Sequence, residues 1–127
     1  MSAHELAPPL PRTARLLSHQ WAALAVVLTG TFMVVLDFFI VNVAMPAMQS
    51  DLNAGTGAIE WVVAGYGLTF ATFLITAGRL GDQFGRRRMF SLGLGLFTLA
   101  SAACGLAPSP AVLVVARLVQ GLAAALL

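Results

Sequence analysis

From Trp21 to Met45 the chain carries a single ionisable side chain, Asp37, in an otherwise apolar run. A helix of that length, rising 1.5 Å per residue, crosses a hydrocarbon core of about 30 Å with some tilt. Three further apolar stretches follow, at about 59–78, 89–106 and 111–127. In lipid every backbone N–H and C=O must find its partner inside the segment, which leaves helices as the way for such runs to span. The chain therefore reads as all-α, a polytopic membrane helical bundle. Charged residues make up 9% of it, against roughly 25% in soluble domains. A cleaved signal sequence has an apolar region of only roughly 7–15 residues, so Trp21–Met45 reads as a retained span.

Turn-forming residues and charges divide these runs. Residues 1–20 hold Pro8, Pro9 and Pro11 and read as a polar tail, with Trp21 as an interfacial anchor and Pro46 closing the first span. Asp51, Asn53, Gly55, Thr56 and Gly57 mark a turn, and Trp61 marks re-entry. A second turn lies at Ala107–Pro110. Gly67 with Ala71, Thr72 with Thr76 and Ser91 with Gly95 are small residues four apart, a spacing that lets membrane helices approach closely. Between the second and third spans, Arg79, Arg86, Arg87 and Arg88 gather in a short loop. With alternating spans they fall on the same side as Arg12 and Arg15, and neither opposite loop carries Lys or Arg. The positive-inside bias then predicts a cytoplasmic N-terminus, and the expected location is the plasma (inner) membrane.

Several classes are disfavoured. There is no lysine, and the arginines flank hydrophobic spans instead of forming a soluble basic face, so no nucleic-acid partner is indicated. The lone cysteine, Cys104, excludes an internal disulfide and a cysteine metal site, and reads as a small packing residue. His4 and His19 read as solvated. With no Ser/His or metal-ligand cluster, neither an enzyme nor a bound cofactor is expected. The partner that composition does require is the lipid bilayer.

Two ionisable residues inside spans are the default functional positions, since each is disfavoured in hydrocarbon by about 2.5–3.5 kcal/mol on insertion scales. Asp37 lies roughly 14 Å below the outer end of its helix, and Arg117 roughly 10 Å below the same surface. At similar depth they can pair across facing helices or line one water-filled cavity. Burial favours the neutral carboxyl group and a nearby guanidinium favours the charged one. A carboxylate whose protonation depends on its partner is what proton-coupled transport needs. A register-fixing ion pair without a transport role is the plainer alternative.

Three segments resemble the major facilitator superfamily, and within it the fourteen-span drug:proton antiporters. Gly78-Arg-Leu-Gly-Asp-Gln-Phe-Gly-Arg-Arg-Arg88 is similar to the signature loop between helices two and three. Leu36-Asp-Phe-Phe-Ile-Val-Asn-Val-Ala-Met-Pro46 is similar to the first-helix motif of the exporters. Leu113-Val-Val-Ala-Arg-Leu-Val-Gln-Gly-Leu-Ala-Ala-Ala125 is similar to the fourth-helix motif.

The resemblance implies the first three spans and a truncated fourth of a major facilitator fold, as an N-terminal fragment whose partners include the missing C-terminal helices. It implies proton-driven export of small amphipathic or cationic compounds, with Asp37 and Arg117 coupling proton to substrate and with Gln120 and Gly121 near the face of Arg117. The first and fourth helices begin inverted repeats that border the central cavity in this fold. Gly78 and Gly85 are implied to serve a tight turn and close approach. Asp82 is implied to neutralise arginines and cap a helix, and Arg86 and Arg87 to act as cytoplasmic gate charges. Three positions depart from the pattern: Gln83 stands for a basic residue, Phe39 for a threonine beside Asp37, and Ala123 for a glycine. Two other readings remain: a metabolite carrier of the same superfamily, and a small structural or assembly membrane protein.

Overall fold

A computed structural model describes residues 12–127, with side chains from His19 onward. It contains four helices: α1 (Arg12–Asp51), α2 (Thr56–Phe84), α3 (Arg86–Gly105) and α4 (Pro110–Ala125), with no strand among the described residues. Residues 19–51 of α1, together with α2 and α3, are long and apolar enough to cross a membrane, and α4 is a shorter apolar helix. The expected all-α bundle is the observed one.

Its boundaries differ from those expected. The first helix starts at Arg12 and not at Trp21, because Arg12–Gln20 contains neither glycine nor proline and Leu16 and Leu17 are good helix formers. The tail of residues 1–11, and His4 with it, lies outside the described residues. His19 is exposed on α1. Pro46 does not close the helix, which runs on to Asp51. A proline forfeits one hydrogen bond, here to the carbonyl of Asn42, and membrane helices tolerate that where local polar groups adjust. One turn earlier the Asn42 side chain donates to the Phe38 carbonyl at 2.7 Å. Asn53, at φ 46°, makes the turn into α2.

The arginine-bearing segment is more helical than a loop. Helix α2 continues to Phe84 and α3 begins at Arg86, so Gly85 alone reverses the chain, at φ +94°. A side chain is strained in that conformation, which explains a glycine there. At the other end of α3, Ser109 accepts from the Val112 amide and Pro110 occupies the first turn of α4. Both are helix-start features.

Helix α4 packs most extensively against α2 and α3, while α1 leans on α2. Closest approach occurs at glycines other than those expected. A Cβ at Gly121 would run into Thr69 Oγ1 and the Tyr66 carbonyl, and one at Gly93 would lie 2.8 Å from Leu126 Cβ. Gly67, Gly78 and Gly95 face open space in this bundle, so the expected Gly67/Ala71 and Ser91/Gly95 seams and the close approach at Gly78 are not formed here. Two apolar layers result. Val41, Val62 and Leu113 make one; Tyr66, Phe97, Ala123 and Ala124 make the other. In sequence Asp37 lies between Val34 and Val41, and Arg117 lies between Leu113 and Ala123, so both charges fall at the level between the layers. Large apolar side chains such as Trp21, Val43, Ile75 and Leu99 point outward, as membrane helices require.

Candidate functional site

Asp37 comes from α1, and Arg117 and Gln120 come from α4, where a separation of three residues puts them on one face. Arg117 Nη1 donates to Asp37 Oδ2 at 2.6 Å and to Gln120 Oε1 at 2.9 Å. Gln120 Nε2 donates to Asp37 Oδ1 at 2.7 Å. Both carboxylate oxygens are thus engaged from α4. Arg117 Nε donates to the Val62 carbonyl of α2 at 3.2 Å, and Cys104 Sγ of α3 faces Gln120 Oε1 at 3.5 Å. All four helices therefore meet at this network. Of the arrangements open to the two charges, direct pairing is the one adopted.

Burial makes the pair sensitive to any loss of a partner. The Arg117 side chain is 2% exposed and that of Asp37 is 13% exposed. Breaking such a pair from one side is disfavoured by about 3–5 kcal/mol, because the remaining charge stays buried. Helix α1 leans on α2 and does not pack extensively on α4. The ion pair is consequently a main tie between α1 and α4.

Two contacts to Arg117 were not legible as such in the sequence. The Tyr66 ring lies 4.3 Å from Arg117 Cζ, with the guanidinium over its face, and stacks on Phe70 with ring centroids 6.4 Å apart. The Val62 carbonyl is the other. Val62 and Tyr66 are four residues apart on α2, which aligns them on one face. That phase, continued at Thr69, is the signal that would have found them. Phe39, in contrast, does not wall Asp37. It is 62% exposed and about 200° round the helix from Asp37, where it meets Phe38 edge to face. Ala123 is fully buried in the apolar core.

At the α2–α3 junction Asp82 accepts from Arg86 Nη2 at 3.0 Å and from Nε at 3.3 Å. Asp82 does not cap α3. The chain is still helical there, and the N-cap position belongs to Gly85, without a side-chain bond. The Asp82–Arg86 pair is solvent-exposed, and Arg87 and Arg88 are exposed beside it. Two shallow grooves flank the bundle, one at Gly30, Met33 and Phe90, the other at Gln49, Glu60 and Val63, and neither includes Asp37 or Arg117.

Comparison with known proteins agrees with this architecture. The sequence model of the Major Facilitator Superfamily matches residues 27–127. The chain is 53% identical over 96 residues to the multidrug resistance protein Stp of Mycobacterium tuberculosis, covering 76% of this chain and 18% of that protein. It is 45% identical over 104 residues to a probable actinorhodin transporter of Streptomyces coelicolor, covering 82% and 18%. It is 48% identical over 107 residues to the tetracenomycin C resistance and export protein of Streptomyces glaucescens, covering 84% and 20%. The chain thus spans about a fifth of the length of these relatives.

Proposed function

Since this chain belongs to the Major Facilitator Superfamily, a family of membrane transporters and not of enzymes, we propose that it works as the opening helices of a proton-coupled exporter of small amphipathic or cationic organic compounds. The observation that carries this reading is the buried Asp37–Arg117–Gln120 network, at 2.6–2.9 Å, linking helices α1 and α4. With the pair closed, both oxygens of the Asp37 carboxyl group are bonded from α4. When α1 and α4 part, or a cationic compound takes the place of Arg117, the balance of charge at Asp37 changes and a proton is taken up or released. Proton movement down its gradient is thereby linked to movement of the exported compound. The driving force is the proton gradient, with no bound cofactor. Relatives whose names speak of multidrug resistance and export support efflux as the direction.

The exposed Asp82–Arg86 pair and Arg87, at the single-residue reversal of Gly85, act in this reading as cytoplasmic gate charges on helices that rock. The N-terminus then lies on the cytoplasmic side of the plasma membrane, as the arginine distribution favours. Helices beyond this segment supply the opposite wall of the cavity.

The test is efflux of a fluorescent cationic dye from cells expressing the complete transporter that carries this segment. Export by the wild type is expected to collapse on addition of an uncoupler. Asp37→Asn is expected to abolish uphill export while the protein remains in the membrane. Uncoupler-insensitive export, or normal proton-driven export by Asp37→Asn, would overturn the proposal.

A further inference from the structure

Around Asp37 stand Arg117 and Gln120 from α4, which bond it, with Tyr66 of α2 against Arg117 and Cys104 of α3 against Gln120. Only Asp37 carries negative charge among them. When Asp37 takes up a proton, the Arg117 guanidinium keeps its charge and its burial but loses its counter-ion. The buried cation then depends on what else touches it: the Val62 carbonyl, the Gln120 amide oxygen and the face of the Tyr66 ring. The first two are neutral dipoles, and all three contacts exist already in the paired state, where the Asp37 carboxylate offsets the field of the cation. The ring is different in kind, since a π-face attracts a cation more strongly when water is excluded, and Tyr66 is 3% exposed.

We propose that the face of the Tyr66 ring is the seat that holds the Arg117 guanidinium while Asp37 carries its proton, making Tyr66 a positioning residue for coupling. The inference rests on the reading of Asp37 as the coupling carboxylate. Geometry sets the ring in place for this task. Stacking on Phe70 and packing with Phe97 and Ala123 hold it in the core, and the Tyr66 carbonyl lies under Gly121, one helical turn beyond Arg117 on α4. The hydroxyl takes no part: Tyr66 Oη is buried without a hydrogen-bond partner among the described residues. The ring face, and not the phenol, is what the site uses.

A ring that holds the guanidinium while its counter-ion is neutralised extends export to higher pH. The expected effect is about tenfold in the proton concentration at half-maximal export, or about one pH unit in the midpoint of the export profile. The experiment is proton-driven export by the complete transporter in proteoliposomes, recorded as a function of pH for wild type, Tyr66→Phe, Tyr66→Leu and Asp37→Asn. Tyr66→Phe is expected to keep the wild-type midpoint, and Tyr66→Leu to move it about one unit toward acid. A series of ring-fluorinated phenylalanines at position 66 keeps the shape and drains the ring's electron density, and is expected to move the midpoint stepwise. This series decides the matter should Tyr66→Leu fail to fold. A flat response across the series, or an equal shift for Tyr66→Phe and Tyr66→Leu, would overturn the role of the ring face. Proton-coupled export by Asp37→Asn would instead overturn the underlying assignment of Asp37, whatever the Tyr66 variants do.

Discussion

Replacing Gly121 by alanine adds one methyl group at the tightest point between α2 and α4. The new Cβ meets Thr69 Oγ1 and the backbone carbonyl of Tyr66. Thr69 has little freedom to turn away, since its hydroxyl donates to the carbonyls of Gly65 at 2.9 Å and Tyr66 at 3.1 Å. Backbone cannot yield locally, so the two helices must part by roughly 1 Å to restore van der Waals distance. Overpacking of this kind destabilises by about 1–3 kcal/mol. The same separation stretches the contact of Arg117 Nε to the Val62 carbonyl, now 3.2 Å, out of hydrogen-bonding range. A bond to a charged group contributes about 1.5–3 kcal/mol, giving a combined loss of about 2.5–6 kcal/mol when the two effects add. Gly67→Ala is the matched control, on α2 with nothing within 4 Å of its new Cβ. Thermal unfolding of the purified protein in detergent reads the difference. Gly121→Ala is expected to melt at least ~5 °C below wild type, and Gly67→Ala at or slightly above it, because alanine is the better helix former. Equal melting temperatures for the two variants would refute the assignment of Gly121 as the contact that sets the α2–α4 distance.

Other perturbations separate the remaining parts of the structure. Arg117→Met leaves Asp37 buried without its partner and is expected to lower stability by about 3–5 kcal/mol; adding Asp37→Asn should recover part of that loss in a double-mutant cycle, and no recovery would mean the two residues do not act as a pair. Gly85→Ala forces a side chain to φ +94° and is expected to cost about 1–2 kcal/mol, read as a lower melting temperature. Asp82→Asn removes an ion pair whose side chains are 87% and 66% exposed, so stability should stay within about 0.5 kcal/mol of wild type while export slows, if the pair belongs to a gate. Tyr66→Phe removes a hydroxyl with no partner among the described residues and should unfold no more easily than wild type in the same melting assay.

The spans were legible because apolar runs long enough to cross a bilayer have no other stable form. Depth counted from Pro46 and Pro110 put Asp37 and Arg117 at one level, and the structure joins them at 2.6 Å. Helix ends were less legible. Proline suggested a stop at Met45, yet one missing hydrogen bond does not outweigh the rest of a 40-residue helix. Glycine spacing also misled: Gly67 and Gly95 have the pattern of packing residues, but the faces that meet are those of Gly65, Gly93 and Gly121. Spacing along one helix does not say which face its neighbour takes. Tyr66 was not singled out, because a cation over a ring is a relation between two helices and the four-residue phase from Val62 marks only the α2 face.

Infrared difference spectroscopy reads the protonation of Asp37 directly in the complete transporter reconstituted in lipid. On lowering the pH under conditions that support export, a protonated-carboxyl band is expected to appear in wild type and to be absent from Asp37→Asn, with the Arg117 guanidinium modes shifting at the same pH. A band that persists in Asp37→Asn, or wild-type export across a pH range in which Asp37 never takes a proton, would contradict the assignment of the α1–α4 ion pair as the coupling element.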